Sequence, residues 1–264
     1  MSKKALLVVS FGTSYEETRK KTLDVLEKEL SGAFPDRSFY RAWTSGMIIR
    51  KVKNTQGLMI DTVSEAMDRL REDGCRDLLV QPTHMLNGYE NELMKKTIRE
   101  KGDFLDHLAF GAPLLDSQED LAFIGKTIRE RFSYLKDGEA LVLMGHGSPT
   151  QGNTVYQSLG EQFASSGKPD IFLGTVEASP DFSFILSEVK KAMPKKVFLA
   201  PFLIVAGDHA VNDLAGDEAD SWKSLLRREG FETCEVLEGL GEYPAVREQF
   251  ILHARQAKTD TAGI

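Results

Sequence analysis

The chain has 264 residues, of which 41% are hydrophobic and 28% charged, and carries a net charge of −7. That is enough apolar material for a substantial core, in one large domain or two halves, and it excludes a disordered chain. No dense Lys/Arg tract is present, so nucleic acid is not expected as a partner, because neutralising phosphates needs clustered positive charge.

The N-terminal MSKKALLVVSFGTS breaks into a polar turn without a signal-peptide cleavage pattern. No segment nears the ~20 apolar residues of a bilayer span, so a cytoplasmic protein with no membrane partner is expected. Cys75 and Cys234 lie far apart and outside any CxxC pair, and are read as buried free thiols.

In chain order, strands are predicted at 5–12, 38–45, 77–84, 107–115, 140–147, 171–177, 196–205 and 233–240. Most are near-continuous apolar runs, which suits strands covered on both faces by helices. Helical patterns lie between them. In YEETRKKTLDVLEKELSG, Ser14 and Glu17 have capping-box spacing and Gly32 is the expected stop. A βα series of this kind predicts an α/β fold with a mostly parallel sheet.

A weak internal repeat runs through the chain. Residues 5–14 align with 140–149, 38–46 with 171–179, and 77–88 with 196–207, the last pair sharing a proline and a terminal glycine. The expected architecture is two similar lobes, each a four-stranded, mostly parallel sheet flanked by helices, with a cleft between them. The lobes are placed at 1–135 and 136–264. In such sheets ligands bind beyond the carboxyl ends of the strands, and there the halves differ. His146 falls against Phe11, Glu177 against Thr44, and His209 against Tyr89 and Glu90.

His146, Glu177 and His209 each follow a predicted strand and are expected to gather along one sheet edge. Two imidazoles and a carboxylate suit a divalent transition metal such as Co²⁺, Ni²⁺, Fe²⁺ or Zn²⁺. The same groups can accept protons near neutral pH. The glycines of MGHGSP are read as letting backbone approach a ligand. There is no GxGxxG, Walker loop or GxSxG elbow, which weakens nucleotide and serine-hydrolase readings. If the stretch after His209 is helical, Asp213 and Asp217 continue its face at i+4 and i+8, either as an acidic track that guides a hydrated cation or as a solvated face.

The blocks KKALLVVSFGTSY, RAWTSGMIIRK, GAPLL, MGHG, TVEASP and LIVAGDHAVNDLAGDEADSWK resemble the anaerobic cobaltochelatases, ATP-independent enzymes that insert cobalt into sirohydrochlorin during cobalamin synthesis. The resemblance runs from near residue 3 to about residue 250. More distantly the arrangement is similar to protoporphyrin ferrochelatases and small sirohydrochlorin chelatases, and it implies a two-lobed, chelatase-like fold. It places the metal-binding set on His146, Glu177 and His209, which would also be the catalytic residues. The first lobe becomes the tetrapyrrole wall, with Ser10, Phe11, Gly12, Thr13, Ser14, Trp43, Met47, His84 and Gly88 as substrate-binding residues. Backbone N–H groups at Gly12, Thr13 and Ser14 suit carboxylates at a helix start. Phe11, Tyr15, Trp43 and Met47 suit an apolar ring face. Arg50, Lys51 and Lys53 add positive charge or form a solvated helix face, and His84 either meets the tetrapyrrole or caps backbone. His107 and His253 are read as structural.

The implied partners are a small-molecule tetrapyrrole and a divalent metal, with no cofactor beyond that metal substrate, Co²⁺ or alternatively Fe²⁺ or Ni²⁺. Sirohydrochlorin and precorrin-2 both remain open as substrate, and so does a homo-oligomer. Two other classes stay open: a tetrapyrrole or metal carrier without turnover, and a metal-dependent hydrolase with an activated water.

Overall fold

The computed structural model describes residues 3–165, 167 and 170–260. The chain begins β1 (Lys3–Ser10), α1 (Glu16–Lys21), α2 (Leu23–Ala33), β2 (Ser38–Trp43), α3 (Gly46–Gln56), β3 (Asp61–Thr62), α4 (Val63–Glu72), β4 (Cys75–Pro82), α5 (Tyr89–Lys101) and β5 (His107–Phe110). It continues α6 (Gln118–Arg131), β6 (Glu139–Gly145), α7 (Thr154–Ser165), β7 (Asp170–Thr175), α8 (Phe182–Ala192), β8 (Lys196–Pro201), α9 (Trp222–Arg228) and β9 (Glu232–Glu235). It closes with α10 (Pro244–Arg255) and β10 (Lys258–Thr259).

Residues up to Asp116 and those from Gly241 onward form one compact unit, and Ser117–Leu240 the other. This departs from a division at 135/136 at two places, and side-chain pairing explains both. Helix α6 joins the second unit, where Arg131 pairs with Glu238 and Arg129 donates to the Phe163 carbonyl. The segment after Gly241 returns to the first unit, where Arg247 meets Glu29 at 2.9 Å, Arg99 meets Asp260 at 2.7 Å, and β10 pairs antiparallel with β5.

The first unit holds a six-stranded sheet in the order β10-β5-β4-β1-β2-β3, and the second a four-stranded sheet in the order β7-β6-β8-β9. Each expected four-strand core is present, and the first sheet gains two short edge strands, β3 and β10. Within the cores every pairing is parallel. The central strands β1 and β6 are apolar and fully buried along most of their length, as strands between two helical layers must be. One core cluster joins Leu7, Val9, Met67, Val80 and Ile98 in the first unit, and another joins Val142, Met144, Val189, Leu199 and Trp222 in the second.

The expected single helix from Tyr15 to Gly32 is two helices, broken at Thr22. Its hydroxyl donates to the Thr18 carbonyl at 2.6 Å, a back-bond that competes with the helical ladder. The Ser14–Glu17 box does not form: Tyr15 takes the cap position without a side-chain bond, and Gly32 lies inside α2. Capping boxes close instead at Thr62 with Glu65 and at Ser117 with Asp120. Cys75 is buried and free, while Cys234 is free but only half-buried. No helix among the described residues is long and apolar enough to cross a membrane.

Candidate metal centre

Three loops at the carboxyl ends of β6, β7 and β8 bring His146, Glu177 and His209 together, with one ligand atom from each within 4.8 Å of the others. The two imidazoles stand edge to face, their centroids 4.9 Å apart and their planes at 84°. Glu177 Oε2 lies 3.7 Å from His146 Nδ1. All three side chains remain open to solvent, from 33% for His209 to 55% for Glu177, so a hydrated cation can reach them.

The backbone around His146 is shaped by its glycines. A Cβ on Gly145 would sit 2.4 Å from the Tyr156 ring, and one on Gly147, at φ +90°, would sit 2.8 Å from the Ala178 Cβ. Both glycines therefore make room for neighbouring protein atoms. Burial pushes the Tyr156 phenol up to about 12, against the backbone N–H groups of Gly147 and His146 that favour its anion. It is a neutral, packed support under the His146 turn.

The Glu177 loop is tied to that turn by backbone bonds, Val176 N to Gly145 O at 3.0 Å and Glu177 N to His146 O at 2.9 Å. Its far side closes through Thr175, whose hydroxyl donates to Ala178 O at 2.7 Å. Asn153 joins both loops: its Oδ1 accepts from Ser148 N at 2.9 Å and its Nδ2 donates to Ser179 O at 2.5 Å. Sequence reading passed over Asn153. Its only signal was a side-chain amide just after the proline of MGHGSP, at the start of a helix.

His209 opens a wide π-helical turn, Ala210–Leu214, and its Nδ1 lies 2.6 Å from Asp213 Oδ2. The helix stops there, so Asp217 does not extend the same face. It pairs instead with Lys223 at 2.6 Å, which holds its carboxyl below the ordinary range. The acidic-track reading thus separates into one carboxylate on His209 and one on a lysine.

The residues expected to bind substrate all belong to the first unit, most of them at the ends of β1, β2 and β4. Phe11 and Met47 are exposed, at 47% and 69%, while Gly12, Ser14 and Gly88 are half-buried. Ser10, Thr13 and Trp43 are buried. Ser10 Oγ accepts from Thr83 Oγ1 at 2.9 Å, Thr13 Oγ1 accepts from Tyr15 N, and the Trp43 ring fills the place of a Cβ on Gly12, which has φ +99°. These three shape the Phe11–Tyr15 turn from beneath. Gln56 holds the same turn by donating to Ser14 O at 2.8 Å, and Arg19 in turn donates to Gln56. Arg50, Lys51 and Lys53 lie exposed on α3.

His84 does not cap backbone: both ring nitrogens are out of solvent, and Asn91 is the side chain that acts on the ring. Burial pushes it down to about 4, with Asn91 acting in the opposite sense. Its ring is therefore neutral at pH 7. His107 bridges Asp77 and Thr259, and His253 is buried beside Gln249, both in structural positions.

Two solved structures share this architecture. SirB from Bacillus subtilis with Fe³⁺ superposes with a TM-score of 0.65 at 12% identity, covering 96% of this chain and 95% of that one. CbiX, described as the terminal enzyme for biosynthesis of siroheme in denitrifying bacteria, superposes at 0.53 and 14%, covering 96% and 99%. At such identities the likeness defines the fold alone, an α/β arrangement of parallel sheets flanked by helices. The sequence itself is more specific: residues 4–259 match the cobalt chelatase (CbiK) family, and the chain belongs to that family. It is 38% identical over 255 residues to the sirohydrochlorin cobaltochelatase of Salmonella typhimurium, covering 97% of this chain and 96% of that one. It is 28% identical over 260 residues to the sirohydrochlorin cobaltochelatase CbiKC of Nitratidesulfovibrio vulgaris, covering 97% and 91%.

Proposed function

We propose that this chain is a metal chelatase that inserts Co²⁺ into sirohydrochlorin, or its precursor precorrin-2, in anaerobic cobalamin biosynthesis. Two protons are released and no ATP is used. The observation that carries the reading is the convergence of His146, Glu177 and His209 on one solvent-reached point, in a chain of the cobalt chelatase family. Three protein donors leave positions on a cobalt ion for incoming nitrogens, and mixed imidazole and carboxylate donors hold such an ion without a closed cage.

In this reading the triad strips water from the entering ion and presents it to the macrocycle, and one of the same groups takes up a departing pyrrole proton. Phe11 and Met47 offer exposed apolar surface to the ring, and the backbone from Gly12 to Ser14 and at Gly88 meets its carboxylates. Ser10, Thr13, Trp43 and His84 support these groups from behind. The metal is substrate, and no further cofactor enters. The enzyme works in the cytoplasm on small molecules, without nucleic acid or membrane.

The test is anaerobic absorbance of sirohydrochlorin with Co²⁺ and catalytic amounts of protein, repeated with Fe²⁺ and Ni²⁺. Many turnovers above the spontaneous rate, fastest with Co²⁺, are expected. A spectral change that saturates at one equivalent would mean a carrier. Faster turnover with Fe²⁺ or Ni²⁺ would reassign the metal, and no response to tetrapyrrole at all would leave a hydrolase to be tested.

A further inference from the structure

The two imidazoles of the triad are held differently. His146 Nδ1 lies 3.1 Å from the Gly147 carbonyl, a neutral acceptor on its own backbone. His209 Nδ1 lies 2.6 Å from a carboxylate oxygen of Asp213. An ionised carboxylate can only accept, so this contact requires the proton on Nδ1 and leaves the lone pair on Nε2. The turn is built for the contact. Ala215 N reaches back five residues to Ala210 O at 3.2 Å, and Gly216 N then reaches Asn212 O at 3.0 Å. A Cβ at Gly216 would lie 2.2 Å from that Asn212 oxygen, so a glycine is required where the wide turn closes. Buried Ala210 and Leu214 anchor the turn to the second unit, while Asp213 stays on the wet side with His209.

We infer that Asp213 is a positioning residue: it fixes His209 in the Nδ1–H tautomer and orients the ring so that Nε2 is the metal donor. The inference deepens the metal-centre reading and rests on it. A carboxylate behind a ligating imidazole sets the ring's orientation and raises the donor strength of the opposite nitrogen, and loss of such a partner typically weakens metal binding about 10- to 100-fold. His146 Nδ1 has its hydrogen-bond contact with the Gly147 carbonyl, while the nearest carboxylate, Glu177 at 3.7 Å, is itself a member of the proposed ligand set, so the two histidines are unequal donors.

The experiment uses the full chain with ¹⁵N-labelled histidine. Long-range ¹H–¹⁵N correlation of the metal-free protein reads the tautomer of His209, assigned by its disappearance in His209→Gln. Titration with Co²⁺ alone, followed by visible absorbance, reads affinity. The wild type is expected to show Nδ1–H. In Asp213→Ala the ring should shift toward Nε2–H and Co²⁺ affinity should fall about 10- to 100-fold. Asp213→Asn, whose amide oxygen still accepts from Nδ1, should recover the tautomer and most of the affinity.

An Nε2–H signal in the wild type would overturn the inference. So would an Asp213→Ala protein that binds Co²⁺ as tightly as wild type. Should Asp213→Ala not fold, the wild-type tautomer and the Asp213→Asn affinity decide. A wild type that holds Co²⁺ with the expected tautomer but never turns over sirohydrochlorin removes the chelatase reading and leaves this one standing. A wild type that binds no Co²⁺ removes both.

Discussion

The two units use the same strand order, β2-β1-β4-β5 in one and β7-β6-β8-β9 in the other, and nearly the same registers. Ala5 faces Ser38 and Leu78 as Ala140 faces Asp170 and Val197. Even the loop bonds recur: Thr44 N to Ser10 O and Ser45 N to Phe11 O in one unit answer Val176 N to Gly145 O and Glu177 N to His146 O in the other. His146 therefore corresponds to Phe11, Glu177 to Ser45 and, counted from Gly207 and Gly88, His209 to Glu90. One backbone plan presents two histidines and a glutamate in one unit and an apolar rim with a serine and a glutamate in the other. Chemistry here is decided by which side chains stand at strand ends, not by the topology that carries them.

The sharpest break in the comparison is removal of the ligands. His146→Ala and His209→Ala should each abolish cobalt insertion, a loss beyond about 100-fold since even outer-partner changes approach that size, while far-ultraviolet circular dichroism and the melting curve stay near wild type. Retained turnover in both variants would detach the triad from the reaction.

His84 tests the first unit alone. Its pKa falls from an ordinary 6.5 in the unfolded chain to about 4 in the folded one, so the unfolded state binds the extra proton. This contribution is fully present above pH 6.5 and is lost as pH falls toward 4, the loss reaching about 2 kcal/mol at pH 5. Denaturant titrations between pH 5 and 7.5 should show a shallower pH slope for His84→Gln than for wild type. An unchanged slope would mean that the imidazole is not buried neutral.

A smaller effect is expected at Asn153. Asn153→Ala removes the two bonds joining the His146 and Glu177 loops, costing about 1–2 kcal/mol of stability and several-fold in Co²⁺ affinity, with less effect on the half-saturating tetrapyrrole concentration. Equal losses on both substrates would show that Asn153 supports the whole unit rather than the metal loops.

Much of this plan was legible in the sequence. The eight main strands fall where apolar runs predict them, and the triad follows from two histidines and a glutamate placed just beyond such runs. The repeat was misaligned by one residue in its second strand, setting Thr44 rather than Ser45 against Glu177. A one-residue slip moves a side chain to the other face, and continuous apolar runs carry no alternation to fix the phase. The expected i, i+4, i+8 face ends at Asp213, because a π turn has no sequence signature comparable to a capping box. The division at 135/136 missed the return of α10 and β10, since pairings such as Arg99 with Asp260, 161 residues apart, are invisible to local pattern.

That return bears on the order of events during synthesis. The second unit is complete once Leu240 has emerged, whereas the first still lacks α10, with its Arg247–Glu29 bridge, and β10, the partner of β5. Domains generally fold as units, so the later-encoded unit, with His146, Glu177 and His209, has all its elements without the segment that gives the earlier-encoded unit its last edge strand. A released chain truncated after Leu240 should already contain a protease-resistant second unit beside a first unit that is still cleaved.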